Sequence, residues 1–153
     1  ENLLKTCGKI LINKLLNSGY KVIVRPHPEM IKRSSQLIND LNHNFSENES
    51  YYIESSVASD ESLINADYLI TDCSGIMFEY AFGTERPVIF FESVHRILKA
   101  LEQLSDCDKQ LIVGRELTKK FETVYRGTAK EILETLNNDK SQQKGEFVII
   151  VNK

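Results

Sequence analysis

The sequence predicts an α/β domain: a doubly wound parallel sheet with helices on both faces. Three observations point there. Short apolar runs alternate with helix-periodic segments along the chain. The candidate strands are continuous hydrophobic runs, as strands covered on both faces must be. The connections between strand and helix are short, the pattern of βα units. The 153 residues fit one domain with a single core.

The elements follow in order. Leu3, Leu4, Cys7, Ile10, Leu11 and Leu15 share one helical face, and Gly19 stands where that helix stops. Residues 20–24 read as a β-branched strand closed by Pro26 and Pro28. Glu29 opens a helix running to about Leu41, with its carboxylate favourable in the first turn. Residues 42–50 are polar and aperiodic and predict a loop. Residues 51–54 are a short strand, and Ser59 or Asp60 caps a brief helix through Asn65. Residues 67–71 read as a strand, and the unbroken apolar run over 68–71 predicts a central place in the sheet, buried on both faces. A turn at 72–75 leads into a helix from Ile76 to Phe82, apolar nearly all round, which Gly83 ends. Residues 86–91 are the next strand. Val94, Ile97, Leu98, Leu101 and Leu104 make an amphipathic helix, residues 111–113 a strand, and Ala129, Ile132, Leu133 and Leu136 a last amphipathic helix. Residues 1–138 are thus expected to form the domain. Residues 139–153 are expected to be a polar linker and a strand, 147–151, with no assigned place.

Composition narrows the function classes. The hydrophobic share of 41% and charged share of 27% are ordinary for a globular chain. A net charge of −3 without a basic stripe argues against nucleic-acid binding. Cys7, Cys73 and Cys107 are isolated and lack metal-ligand spacing, which suits a reducing, cytoplasmic setting. No metal site is expected, and no apolar run approaches the ~20 residues of a membrane span. His43 and His95 are expected at the surface. The chain starts at Glu1 directly in helical pattern, and we expect a fragment of a longer polypeptide.

Open parallel sheets bind ligands at the carboxyl ends of their strands, beside helix N-termini. Two segments stand there. In Arg25-Pro26-His27-Pro28 the two prolines stiffen the backbone around an imidazole suited to bind a phosphate or protonate a leaving oxygen, with Arg25 adding a permanent charge. In Thr71-Asp72-Cys73-Ser74-Gly75 a helix opens directly after a strand. Its free N–H groups suit an anion, Gly75 permits close approach, and Ser74 either donates to that anion or caps the helix. Glu79 follows on the same helix, either beside the ligand or solvating the outer face. Walker, dinucleotide-binding and nucleophile-elbow fingerprints are missing from the sequence.

Together these segments, with residues 68–81 and 86–91, resemble the C-terminal half of the CDP-glycerol:poly(glycerophosphate) glycerophosphotransferase family. That resemblance implies a Rossmann-like half of a GT-B scaffold, in which His27 matches the family's His-Pro motif and Ser74 the first serine of its Ser-Ser motif. Gly75 stands where the second serine is usual. By resemblance, His27 is the catalytic residue, and Arg25, His27, Asp72, Ser74, Gly75 and Glu79 line the donor site. The implied reaction moves glycerol phosphate, or a related polyol phosphate, from a CDP-linked donor to a teichoic-acid or capsular polymer. It needs no cofactor and prefers cytidine nucleotides. The general base would come from an N-terminal GT-B half, leaving this fragment inactive by itself. The resemblance further implies a cytoplasmic place, with any contact to the inner face of the membrane made by other domains. Two alternatives are a CMP-sialyl or other nucleotide-sugar transferase domain and a non-catalytic interaction module.

Overall fold

A computed structural model describes residues 2–56, 59–72, 74–92 and 96–151. Cys73, Val94 and His95, and the side chain of Ser74, lie outside the described residues. The chain divides into two compact units, Glu1–Ser62 and Leu63–Lys153.

Unit 1 starts with a π-helical turn, Leu4–Gly8, that runs into α1 (Lys9–Asn17). Gly19 ends it at φ +83°, a conformation that favours glycine. Then come β1 (Val22–Val24), α2 (Pro28–Arg33), α3 (Ser35–Phe45) and β2 (Tyr51–Ile53). β1 and β2 pair in parallel, Val22 against Tyr51 and Val24 against Ile53. Ile12, Val22, Val24, Leu41, Phe45 and Tyr51 form the core. The helix expected from Glu29 to Leu41 is two helices, interrupted at Ser34 (φ −138°, ψ 40°). The loop expected at 42–50 starts late, because Ile38, Leu41 and Phe45 carry the buried stripe of α3 onward through polar residues.

Unit 2 contains β3 (Leu69–Thr71), α5 (Ser74–Thr84), β4 (Val88–Glu92), α6 (Ile97–Leu104), β5 (Leu111–Arg115), β6 (Thr123–Gly127), α7 (Ala129–Asn138) and β7 (Phe147–Val151). The short helix α4 (Glu61–Asn65) spans the division. The strand order is β3-β4-β7-β5-β6. The fold class is α/β, as the alternation predicts, but the sheet is mixed. β3 and β4 run parallel, whereas β7 is antiparallel to both β4 and β5, and β6 is antiparallel to β5.

Two placements differ from expectation. β3 is an outer strand among the described residues, with Leu69 and Ile70 only half-buried, and not the central strand. The strand without an assigned place, β7, holds the middle of the sheet. Phe147, Ile149 and Val151 turn to the buried face at no more than 2% exposure, and Val148 and Ile150 to the half-buried one. They meet Val88 and Phe90 of β4, Leu111 and Val113 of β5, and the apolar faces of α6 and α7 in one core. Thr123–Gly127 adds a strand that apolar runs do not reveal, since only Val124 and Tyr125 in it are large and hydrophobic.

Candidate functional site

The six expected site residues fall in both units: Arg25 and His27 in the first, Asp72, Ser74, Gly75 and Glu79 in the second.

In unit 1, β1 is followed by Arg25 and buried Pro26, and exposed His27 is the N-cap of α2 with Pro28 at the first helical position. The backbone N–H of Glu29 donates to His27 Nδ1 at 3.2 Å. An accepting Nδ1 leaves Nε2 to carry the proton of the neutral ring. The ring borders a cleft of about 250 Å³ lined also by Asn2, Lys5, Glu29, Met30, Arg33 and Ser34. Its charge is mixed: Glu29 pairs with Arg33 at 3.2 Å and with Lys32 at 3.7 Å.

Arg25 turns to other work. Its Nη2 lies 3.0 Å from Asp60 and its Nε 3.8 Å from Glu54, whose carboxylate also accepts from the Ser62 hydroxyl. Arg25 thereby ties the end of β1 to the segment after β2. Among the described residues its Nη1 is buried without a hydrogen-bond partner, as is the Tyr51 hydroxyl. Burial pushes the Tyr51 phenol up to about 12.

In unit 2, Thr71 at the end of β3 is buried and Asp72 half-buried, and α5 opens at Ser74. Gly75 and Glu79 are exposed, and a Cβ added at Gly75 meets nothing within 4 Å. At the far end of the sheet, a loop after β5 is locked by charge. Glu116 (φ 51°) accepts from the Glu146 backbone N–H at 2.7 Å, and Lys119 bridges Glu116 and Glu146 at 3.2 and 2.8 Å. The Glu146 N–H first, then Lys119, hold the Glu116 carboxyl below the usual range. Glu146 and Glu116 raise the Lys119 ammonium in turn.

Sequence reading missed Lys5, Met30 and Arg33 at the cleft, and the Glu116–Glu146 lock. A signal existed for one of them: Arg33 lies six residues after His27, in the last turn of the helix that His27 caps. Among the described residues no group of His, Cys, Asp and Glu is placed to hold a metal ion, and no helix is long and apolar enough to cross a membrane.

Residues 8–97 match the family CDP-Glycerol:Poly(glycerophosphate) glycerophosphotransferase. The chain belongs to that family. It is also similar, over 67–71 residues, to enzymes of another kind. Ribosomal RNA small subunit methyltransferase I of Buchnera aphidicola is 41% identical over 70 residues, 44% of this chain and 25% of the relative. The Xylella fastidiosa protein of that name is 46% identical over 69 residues, 43% of the chain and 25% of the relative. The Escherichia coli O157:H7 protein is 38% identical over 69 residues, 43% and 24%. The chain thus spans about a quarter of the length of these relatives. A crystal structure of diphthine synthase aligns at TM-score 0.42 and 9% identity, over 78% of this chain and 55% of that one, too loose a likeness to bear on function.

These relatives correct the activity expected from the family resemblance. Sequences 36–46% identical to part of this chain are named for methyl transfer to ribosomal RNA, so transfer of glycerol phosphate to a teichoic-acid or capsular polymer does not stand. The expected partners fall with it: a CDP-glycerol donor, a polymer acceptor and the exclusion of nucleic acid. So does the expectation that no cofactor is involved, since these relatives are named as methyltransferases and methyl transfer requires a methyl donor. A weakly acidic composition excludes a broad electrostatic footprint, but it says nothing about a segment that takes part in an RNA-modifying enzyme without gripping the phosphate backbone.

Proposed function

We propose that unit 2 is a scaffold segment of an RNA-directed methyl-transfer protein. The observation that supports this is the 36–46% identity to ribosomal RNA small subunit methyltransferase I. The matched span is 42–44% of the chain, more than the whole of Glu1–Ser62, so it always includes part of unit 2. The methyl donor implied is S-adenosylmethionine. The described residues of unit 2 do not fit it as a pocket: their buried side chains are apolar apart from Thr71 and Tyr80, and the Tyr80 phenol already donates to the Ala66 carbonyl. Among the described residues, neither buried polar atom left without a partner, Arg25 Nη1 or Tyr51 Oη, belongs to this unit. Its role on this reading is to support a methyl-transfer site rather than to bind the donor.

The test is an exchange. The matched segment of a small-subunit rRNA methyltransferase I is replaced by that of this chain, and methyl incorporation into small-subunit rRNA is followed with a labelled donor. Retained transfer supports the reading. A chimera that melts cooperatively yet transfers no methyl group overturns it.

A second reading rests on the cleft at His27. Lys5, Arg33 and the Nε2–H of His27 border one opening, a set of donors suited to a phosphate group of a nucleotide or RNA. Arg25, engaged with Asp60 and Glu54, acts there by holding the strand end rather than by touching ligand. In unit 2 the start of α5 offers a separate anion position at Ser74 and Gly75, flanked by Asp72 and Glu79. Titration with pyrophosphate tests both; a chain that takes up none loses both positions.

A further inference from the structure

We infer that two copies of this chain pair through β6, edge to edge and antiparallel, in the register that sets Val124 against Val124 of the second copy. Among the described residues β6 is the last strand of its sheet, with β5 on one side only. Its outer edge therefore carries main-chain groups with no ladder partner, the arrangement that recruits another strand. What selects the second copy is the sequence along that edge. Glu122, Val124 and Arg126 alternate onto one exposed face, Val124 at 44% exposure. In an antiparallel pair centred on Val124, Glu122 of each copy stands opposite Arg126 of the other. Two ion pairs then flank an apolar pair, and each copy supplies both halves, as a two-fold interface requires.

Other arrangements lose this match. Parallel pairing in register sets Arg126 on Arg126 and Glu122 on Glu122, like charges directly opposed. An antiparallel register centred on Tyr125 sets Arg126 on Val124 and leaves Glu122 without a cation. The local structure is prepared for the first register. Among the described residues Arg126 has no ion-pair partner. The Thr118 N–H donates to Glu122 Oε2 at 2.6 Å, which orients the carboxylate and leaves its other oxygen for a guanidinium. On the opposite face Thr123 meets Tyr125. One step beyond the ladder, Phe121, 69% exposed, falls across from Gly127 of the second copy. Gly127 is bare because its φ of +145° and the Glu131 carboxylate, 2.7 Å from an added Cβ, admit only glycine.

Sedimentation velocity on the whole chain and on charge-reversed variants tests this. The expected result is a dimer for the unaltered chain at micromolar concentration. Arg126→Glu should weaken it about ten- to a hundredfold, because the symmetry counts each opposed pair twice. Glu122→Arg should do the same, and an equimolar mixture of the two variants should recover a heterodimer, since each then presents the charges that the other lacks. Far-ultraviolet dichroism and melting curves establish that each variant is folded. If Glu122→Arg fails to fold, Arg126→Glu, a change at an exposed side chain, still decides. A monomeric unaltered chain, an Arg126→Glu chain that assembles as before, or a mixture of folded variants that stays monomeric overturns the inference.

Discussion

Tyr80 and Arg86 donate to the same acceptor, the carbonyl of Ala66, at 2.5 and 2.7 Å. Arg86 also reaches the Ile64 carbonyl at 2.7 Å. One phenol from α5 and one guanidinium from the approach to β4 thereby hold the segment that leads into β3, an outer strand among the described residues.

The sharing has a measurable consequence. Tyr80→Phe leaves the Ala66 carbonyl its bond from Arg86 and should cost about 0.5–1.5 kcal/mol. Arg86→Met removes bonds to two carbonyls at once and should cost more, about 1.5–3 kcal/mol, the range for charge-assisted bonds. Urea unfolding of the two variants gives the ranking, and the reverse order would contradict the shared-acceptor account.

Tyr51 makes the opposite case. Its ring packs against Phe45 at 5.3 Å, but its hydroxyl is buried with no partner among the described residues. Tyr51→Phe keeps the ring contact and removes the unsatisfied group, so it should be neutral or stabilise by up to about 1–2 kcal/mol. A clear loss of melting temperature would mean that the hydroxyl has a partner after all.

α7 carries a reciprocal cap: the Thr128 hydroxyl accepts from the Glu131 N–H, and the Glu131 carboxylate accepts from the Thr128 N–H at 2.8 Å. Thr128→Ala should cost about 1 kcal/mol. The Thr128 backbone N–H, then its hydroxyl, hold the Glu131 carboxyl below its ordinary 4.5. Because the folded value is the lower one, the unfolded chain takes up the proton first as pH falls. The cap's contribution is therefore whole above 4.5 and lost as pH drops through the folded value. Melting curves between neutral pH and about 3 should fall less steeply for Glu131→Gln than for the unaltered chain. Parallel curves would dissociate the cap from acid sensitivity.

The proposed anion positions separate by substitution. A Cβ at Gly75 enters open space on a helix, so Gly75→Ala should raise stability by up to about 0.5–1 kcal/mol while obstructing an anion at the N–H groups of α5. His27→Asn keeps an N-cap acceptor for Glu29 and removes the Nε2 donor, so the fold should persist while pyrophosphate uptake at the cleft weakens about tenfold. Calorimetric titration beside thermal melting reads both quantities. Unchanged uptake in both variants removes both positions.

Much of the element order was legible, because buried helices announce themselves by periodicity. Ile97, Leu101 and Leu104 of α6, and Ile132 and Leu136 of α7, lie on the predicted stripes. Strand direction was not legible. An apolar run such as Phe147–Val151 states that a strand is covered on both faces, but not which strands flank it or which way they run. β6 escaped for the converse reason: its Thr, Arg and Gly belong to an outer strand, where solvent does not select for apolar residues. At the site, Pro26 and Pro28 correctly marked a stiff turn around His27, because proline geometry is local. The fate of Arg25 depended on Glu54 and Asp60, some thirty residues away, and only the fold brings those together.

The central place of β7 also governs how unit 2 comes into being. Among the described residues, 147–151 supply the strand that joins the β3–β4 pair to the β5–β6 pair. During synthesis both pairs emerge first and must wait, their apolar edges and the undersides of α6 and α7 open to solvent, until β7 arrives between them. Nascent chains halted before Phe147 should therefore be held by chaperones and digested readily, and protease resistance should come in a single step once Val151 has cleared the ribosome.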